Sequence, residues 1–121
     1  MKIAIIEDDQ AIAQMYRLKF EADGDTVEMA ENGLIGLKLV EHMKPDIVLL
    51  DIMMPVMTGD EALEKMRSTD WGKDVKVIIL TNMGEQEAPP KLKKLGVSAF
   101  IVKAEMTPRQ VAELVKSMLT S

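Results

Sequence analysis

The chain alternates between short apolar runs and longer stretches in which apolar residues recur at helical spacing. Apolar runs at 3–6, 47–50 and 77–80 predict strands over 3–6, 46–50 and 75–80 that are buried on both faces of a parallel sheet. Residues 98–102 predict a further strand. Residues 26–30 alternate polar and apolar side chains, which indicates a strand at the edge of the sheet, where one face is less buried.

Five helical stretches separate and follow these strands, and capping residues mark several of their ends. The predicted helices are 10–22, with Asp9 as its cap; from the cap Asn32 to Lys44; from the cap Thr58, with Glu61 three residues later, to the loop at Ser68; from Pro89 or Pro90 to Leu95; and from the cap Thr107 onward. The two adjacent prolines predict that the fourth helix is short, because proline is tolerated only in a first turn.

Apolar spacing also predicts which helix faces point to the core. The residues expected to face inward on the first helix are Ala11, Met15, Leu18 and Ala22. Those expected to do so on the second helix are Leu34, Ile35, Leu37, Leu39 and Val40.

Strands that alternate with helices are typical of α/β proteins with right-handed crossovers and helices on both faces of the sheet. The alternating strand 26–30 belongs at an edge, and the apolar first, third and fourth strands belong inside. The order 2-1-3-4-5 meets both conditions. The predicted fold is therefore a flavodoxin-like doubly wound (βα)5 sandwich with a five-stranded parallel sheet. Its ligand crevice lies at the carboxyl ends of strands one and three, where the chain reverses direction.

Composition narrows the classes of protein further. The chain has 121 residues, no cysteine and a net charge of −5, which predicts a single domain over 1–121 with a core that needs no disulfide. The acidic balance argues against direct nucleic-acid binding. Acidic residues follow the first four apolar ones too soon for a signal peptide or a membrane span. We therefore expect a cytoplasmic protein without a membrane segment.

Polar and charged side chains stand where the predicted strands end. Glu7 and Asp8 follow strand one, Asp51 follows strand three, and Thr81 and Lys103 follow strands four and five. Considered alone, Asp51 fits a functional carboxylate and a residue that merely ends a strand and caps a turn equally well. Together the three carboxylates would repel one another, and Mg²⁺ is the hard cation that such an acidic cluster binds. A carboxylate nucleophile, Mg²⁺, a lysine and a hydroxyl suit formation of an aspartyl phosphate.

Four motifs give the chain a resemblance to the receiver domain of two-component response regulators along its whole length. The motifs are Ile-Ile-Glu-Asp-Asp at 5–9, Asp-Ile-Val-Leu-Leu-Asp-Ile-Met-Met-Pro at 46–55 with Gly59, Ile-Leu-Thr at 79–81, and Phe-Ile-Val-Lys at 100–103. Each motif alone is weak, but the set is specific.

The resemblance implies a role for each matching residue. Asp51 is expected to take a phosphoryl group from a phosphohistidine on a sensor histidine kinase or a histidine phosphotransfer protein. The expected Mg²⁺ ligands are Asp8, Asp51 and the backbone carbonyl of Met53, with Glu7 acting through water.

The resemblance also assigns the conformational switch and the output surface. Thr81 is the expected switch hydroxyl and phosphate-binding group, and Phe100 is the aromatic side chain coupled to it. Lys103 is expected to pair first with Asp51 and then with its phosphate. The downstream effector is expected on the face formed by helix four, strand five and helix five. Ala104 follows Lys103, whereas relatives usually carry a proline whose cis peptide aims the lysine.

Two other functions stay open on the sequence. A small Mg²⁺-dependent phosphatase or phosphotransferase would use Asp51 as its nucleophile, but Met53 stands two residues later and leaves no obvious general acid. A receiver that binds its partner without being phosphorylated is the other alternative. The intact set of polar residues at the strand ends favours a phosphoacceptor signalling domain that is not an enzyme.

Overall fold

A computed structural model describes residues 1–120. The five strands are β1 (Lys2–Ile6), β2 (Thr26–Ala30), β3 (Ile47–Leu50), β4 (Val77–Thr81) and β5 (Ala99–Val102). The five helices are α1 (Gln10–Ala22), α2 (Gly33–Met43), α3 (Gly59–Arg67), α4 (Lys91–Lys94) and α5 (Pro108–Thr120). A single 3₁₀ turn, Lys103–Glu105, follows β5. No helix within residues 1–120 is both long and apolar enough to cross a membrane.

The strands form one parallel sheet in the order β2-β1-β3-β4-β5, which confirms the predicted fold class and places β2 at an edge. The pairing register aligns the strand ends, with Ile6 opposite Leu50 and Thr81 opposite Val102. All strands therefore deliver the residues that follow them to the same rim of the sheet. The predicted strands began one or two residues earlier than the observed β3, β4 and β5.

Two apolar cores cover the two faces of the sheet. One lies between the sheet and helices α1 and α5, and the other between the sheet and helices α2, α3 and α4. β3 and β4 are buried over their whole length because both of their faces are covered. This burial explains why their sequences are continuously apolar.

The predicted inward face of α1 is wrong. Met15 and Leu18 are 50% and 66% exposed, whereas Ala13, Tyr16 and Phe20 are buried. The helix carries two stripes of apolar residues at helical spacing. The stripe that contains the aromatic rings faces the core because large rings bury the most apolar area.

The predicted face of α2 is wrong at its first turn, where Leu34 and Ile35 are exposed while Gly33 and Gly36 are buried. α2 lies so close to β1 that a Cβ on Gly36 would be 2.6 Å from Cδ1 of Ile6. Glycine is required there by close approach, so the packed face is marked by the smallest residues and not by the most apolar ones.

The capping predictions are confirmed. The Asp9 carboxylate accepts hydrogen bonds from the backbone N–H groups of Ala11 and Ile12, and Asn32 accepts from Ile35 at 2.9 Å. The caps before α3 and α5 also form, as Thr58 donates to Glu61, and Thr107 and Gln110 bond reciprocally. Helix α4 is a single turn, shorter at both ends than predicted, with Pro90 at its N-cap position.

Candidate active site

The polar residues at the strand ends meet at the switch point of the sheet. Glu7 directly follows β1 and Asp51 directly follows β3, the two strands between which the chain reverses direction. The backbone N–H of Asp51 donates to the carbonyl of Ile6 at 3.0 Å, which continues the pairing of the two strands. Parallel pairing therefore sets these two carboxylates side by side.

Three carboxylates form a cluster at this point. Oxygen atoms of Glu7, Asp8 and Asp51 all lie within 4.8 Å of one another. Glu7 and Asp51 are 4% and 6% exposed, while Asp8 is open to solvent. Oxygen donors that combine buried carboxylates with one solvent-exposed carboxylate fit Mg²⁺, which takes few protein ligands and keeps several waters.

Lys103 connects two members of this cluster. Its Nζ lies 2.7 Å from Oε1 of Glu7 and 3.0 Å from Oδ2 of Asp51, and the lysine side chain is only 8% exposed. No peptide bond in residues 1–120 is cis, so the bond before Ala104 is trans. The lysine therefore reaches Asp51 from a trans peptide. The predicted contact between Lys103 and Asp51 is present.

Burial and charge shift the protonation of the cluster. Burial, together with a hydrogen bond and charge from Asp51, raises the pKa of Glu7 to about 7, although Lys103 acts in the opposite direction. Burial alone would lower the pKa of Lys103, but its hydrogen bonds to Glu7 and Asp51 prevail and raise it. The lysine is therefore a fixed cation, and Glu7 is a carboxyl group that exchanges its proton near neutral pH.

The loop after Asp51 is held tightly against this residue. The N–H of Ile52 donates to Oδ1 of Asp51 at 2.7 Å, and the N–H of Gly59 donates to the carbonyl of Ile52 at 2.8 Å. A Cβ on Gly59 would overlap the carbonyl oxygen of Asp51. Val56 has φ +68°, a conformation that is strained for a β-branched residue. The side chain of Met53 is 61% exposed.

Thr81 and Phe100 lie on β4 and β5, the two strands beyond β3. Thr81 ends β4, is 1% exposed, and its hydroxyl oxygen accepts a hydrogen bond from the N–H of Met83 at 3.3 Å. Phe100 is half-buried and packs in the core beneath α4, beside a cavity of about 420 Å³. The structure thus brings Glu7, Asp8, Asp51 and Lys103 together, whereas Phe100 packs against the core between the sheet and helices α2, α3 and α4.

Tyr16 is a neighbour of the site that the sequence did not indicate. It is buried on α1, and burial raises the pKa of its hydroxyl, while the charges of Lys103 and Glu7 act on it in opposite directions. Its proximity was hidden because the opposite face of α1 was predicted to point inward. The correct face was signalled by the spacing of Ala13, Tyr16 and Phe20.

The comparisons with known proteins agree with this geometry. A parallel doubly wound sheet with an acidic crevice at its switch point defines a flavodoxin-like α/β protein with a candidate metal centre. The family model described as "Response regulator receiver domain" matches residues 3–116. The chain therefore belongs to the response regulator receiver domain family of two-component signalling.

Individual relatives extend the match over most of the chain. The chemotaxis protein CheY of Listeria monocytogenes is 36% identical over 118 residues, which are 97% of this chain and 98% of that protein. The response regulator MprA of a Mycobacterium species is 36% identical over 81 residues, 67% of this chain but 34% of MprA. The matched part of the chain thus spans about a third of the length of that relative.

Solved structures show the same fold. A CheY-like receiver domain protein from Methanospirillum hungatei superposes with a TM-score of 0.88 at 31% identity, covering 98% of this chain and 93% of that one. The receiver domain of the Francisella response regulator 1452 gives a TM-score of 0.86 at 26% identity, covering 98% and 96%.

Proposed function

We propose that this domain accepts a phosphoryl group on Asp51 from a phosphohistidine donor, in a reaction that depends on Mg²⁺. The observation that carries the proposal is the position of Lys103. Its ammonium lies between Asp51 and Glu7, at hydrogen-bonding distance from both. A buried cation beside a carboxylate nucleophile is placed to balance the negative charge that a phosphoryl group brings.

The transfer is a direct displacement at phosphorus. A carboxylate oxygen of Asp51 forms the new O–P bond while the P–N bond to the donor imidazole breaks. The electron pair stays on the imidazole nitrogen, which takes up a proton. Lys103 then exchanges its contact with the carboxylate for one with the phosphoryl oxygens. The N–H of Ile52 holds the other carboxylate oxygen and orients the nucleophile.

The residues that would hold Mg²⁺ are Asp8, Asp51, the carbonyl of Met53 and, through water, Glu7. The bound cation would supply charge neutralisation at the phosphoryl oxygens. Asp8 is exposed, which leaves room for the waters that Mg²⁺ retains. Oε1 of Glu7 already accepts a hydrogen bond from Nζ of Lys103, which supports an indirect role for Glu7 in metal binding.

The phosphorylated domain then acts as a switch. Thr81 moves its hydroxyl toward the phosphoryl group, Phe100 repacks, and the face formed by α4, β5 and α5 changes its affinity for a downstream effector. The phosphodonor is a sensor histidine kinase or a histidine phosphotransfer protein. We place this activity in a cytoplasmic protein whose residues 1–121 form a single receiver domain. It acts as a phosphoacceptor and not as an enzyme on a separate substrate.

Intact mass spectrometry tests the proposal. Wild-type protein, Asp51→Asn and Asp70→Asn are incubated with acetyl phosphate, with Mg²⁺ or with EDTA. Asp70 is an exposed loop carboxylate and serves as the matched control. We expect one phosphate adduct on wild type and Asp70→Asn with Mg²⁺ only, and none on Asp51→Asn. An adduct that survives in Asp51→Asn, or no adduct on any protein, would contradict the proposal.

A further inference from the structure

Helix α4 is too short to be stable without contacts to the rest of the fold. It is a single turn, Lys91–Lys94, and follows two prolines. One isolated turn pays the cost of helix nucleation without the gain of propagation, so its stability comes from contacts with the rest of the fold. Those contacts therefore decide where α4 sits on the output face.

The C-terminal end of α4 is held by an arginine from another helix. Arg67, the last residue of α3, donates from Nε to the carbonyl of Leu95 at 2.6 Å and from Nη2 to that of Gly96 at 3.1 Å. A third bond, from Nη1 to the carbonyl of Gly72 at 2.8 Å, fixes the guanidinium in the loop after α3. A cation on these carbonyls satisfies the acceptors that the end of a helix leaves open.

The N-terminal end of α4 is held by a lysine that reaches the same partner helix. Nζ of Lys91 lies 3.3 Å from Oδ2 of Asp60 and 3.6 Å from Oε2 of Glu64, both on α3. The two basic residues thus tie both ends of α4 to α3. The Arg67 contacts are the stronger, because three hydrogen bonds hold the guanidinium, whereas the side chains of Lys91 and Glu64 are 39% and 61% exposed.

Helix α3 is itself fixed to the acceptor loop. Its first residue, Gly59, donates to the carbonyl of Ile52 and leaves no room for a side chain beside the carbonyl of Asp51. α3 therefore connects the loop at Asp51 with α4, which contacts α3 along its length at Asp60, Glu64 and Arg67. This connection is separate from Thr81, which reaches α4 along the chain through residues 82–90.

We propose that Arg67 and Lys91 form a latch that holds α4 in its resting position and opposes the switch. The latch rests on the proposed function, because it regulates the same phosphorylation site. In this structure Nζ of Lys103 contacts Asp51 and the Thr81 hydroxyl oxygen accepts a hydrogen bond from the N–H of Met83, and we take this arrangement as the resting one. Contacts that exist in one of two states favour that state, so loss of the latch favours the phosphorylated state.

Two readouts test the latch on the full chain. Amide hydrogen exchange reports the order of α4, where the N–H groups of Leu92, Lys93 and Leu95 donate to carbonyl groups within residues 89–92. The initial rate of Mg²⁺-dependent labelling by acetyl phosphate reports the switch. The variants are Arg67→Gln and the pair Lys91→Gln and Lys91→Arg, with Arg109→Gln as control. Arg109 is 80% exposed and pairs only with Glu113 on its own helix among the described residues.

Arg67→Gln is expected to exchange faster in α4 and to be labelled about fivefold faster than wild type, the lower end of usual coupling between sites. Lys91→Gln should show a smaller rise in both. Lys91→Arg keeps both ion pairs and should restore wild-type values, and Arg109→Gln should not differ from wild type. If Arg67→Gln does not fold, the Lys91 pair decides.

Faster exchange with an unchanged labelling rate would overturn the latch and leave Arg67 a purely structural residue. Unchanged exchange in Arg67→Gln and Lys91→Gln would overturn it as well. If wild type takes no phosphate, the proposed function fails. The exchange readout then still decides whether Arg67 and Lys91 hold α4.

Discussion

Replacing Lys103 with methionine removes the cation between two buried carboxylates while keeping a side chain of similar length. Lys103, Glu7 and Asp51 are 8%, 4% and 7% exposed at their side chains, so water cannot replace the lost ammonium. Breaking a buried ion pair by removing one partner costs about 3 to 5 kcal/mol. We take about 3 kcal/mol at about pH 8, the lower end of that range, because the loss of Lys103, which lowers the pKa of Glu7, lets this carboxyl group take up a proton more readily.

The cost depends on pH and on Mg²⁺. At about pH 8 Glu7 is mostly charged in wild type and this cost should appear, whereas at about pH 5.5 Glu7 holds its proton in both proteins and the cost should fall to about 1 kcal/mol. Mg²⁺ should restore more stability to Lys103→Met than to wild type. The added cation takes over the charge balance that the lysine supplied.

Urea unfolding in EDTA, followed by fluorescence of the single tryptophan Trp71, measures the effect. With a slope of about 2 kcal/mol per molar, the midpoint of Lys103→Met should fall by about 1.5 M at about pH 8. Arg17→Met breaks the exposed pair with Glu21 and should cost less than about 1 kcal/mol. A shift no larger than this control, or one that does not shrink at low pH, would refute the reasoning.

Three further predictions test the site and the corrected core. In metal-free buffer, the stability of wild type relative to Glu7→Gln should fall as pH rises from 4.5 to about 7, because the folded protein then holds a proton that the unfolded chain has released. A difference in unfolding free energy that does not change with pH, measured by urea unfolding, would contradict this. Phe20→Ala should lower the free energy of unfolding by about 3 to 5 kcal/mol, whereas Leu18→Ala should change it by less than about 0.5 kcal/mol, since only Phe20 is buried. Equal urea midpoints for the two variants would instead support the predicted face of α1. Gly59→Ala should lower the free energy of unfolding by about 1 to 3 kcal/mol and slow labelling by acetyl phosphate, because its Cβ would overlap the Asp51 backbone. Stability and labelling equal to wild type would contradict this steric argument.

The sheet and its rim were predictable because their signal is local. Strands buried on both faces are continuously apolar, and the polar residues that end them mark the rim. The contact between Lys103 and Asp51 joins residues 52 positions apart, yet parallel pairing alone brings them to the same edge. The ion pair between Lys103 and Glu7 was not predicted, because the sequence does not show how far Lys103 lies from each carboxylate.

Helix faces were harder to predict because two stripes competed for the core. On α1, Met15 and Leu18 have helical spacing as good as that of Tyr16 and Phe20, and only packing against the sheet decides between them. On α2 the buried face includes Gly36, whose lack of a side chain gives no apolar signal. Close approach between backbone and neighbouring side chains is a tertiary property that local pattern does not carry.

Mapping the phosphate to one residue tests the central claim most directly. Protein labelled with acetyl phosphate and Mg²⁺ is treated with borohydride, which reduces an aspartyl phosphate to homoserine, and is then fragmented by mass spectrometry. We predict homoserine at position 51 alone. Reduction at Asp8 or at another carboxylate, with Asp51 intact, would contradict the assignment of Asp51 as the acceptor.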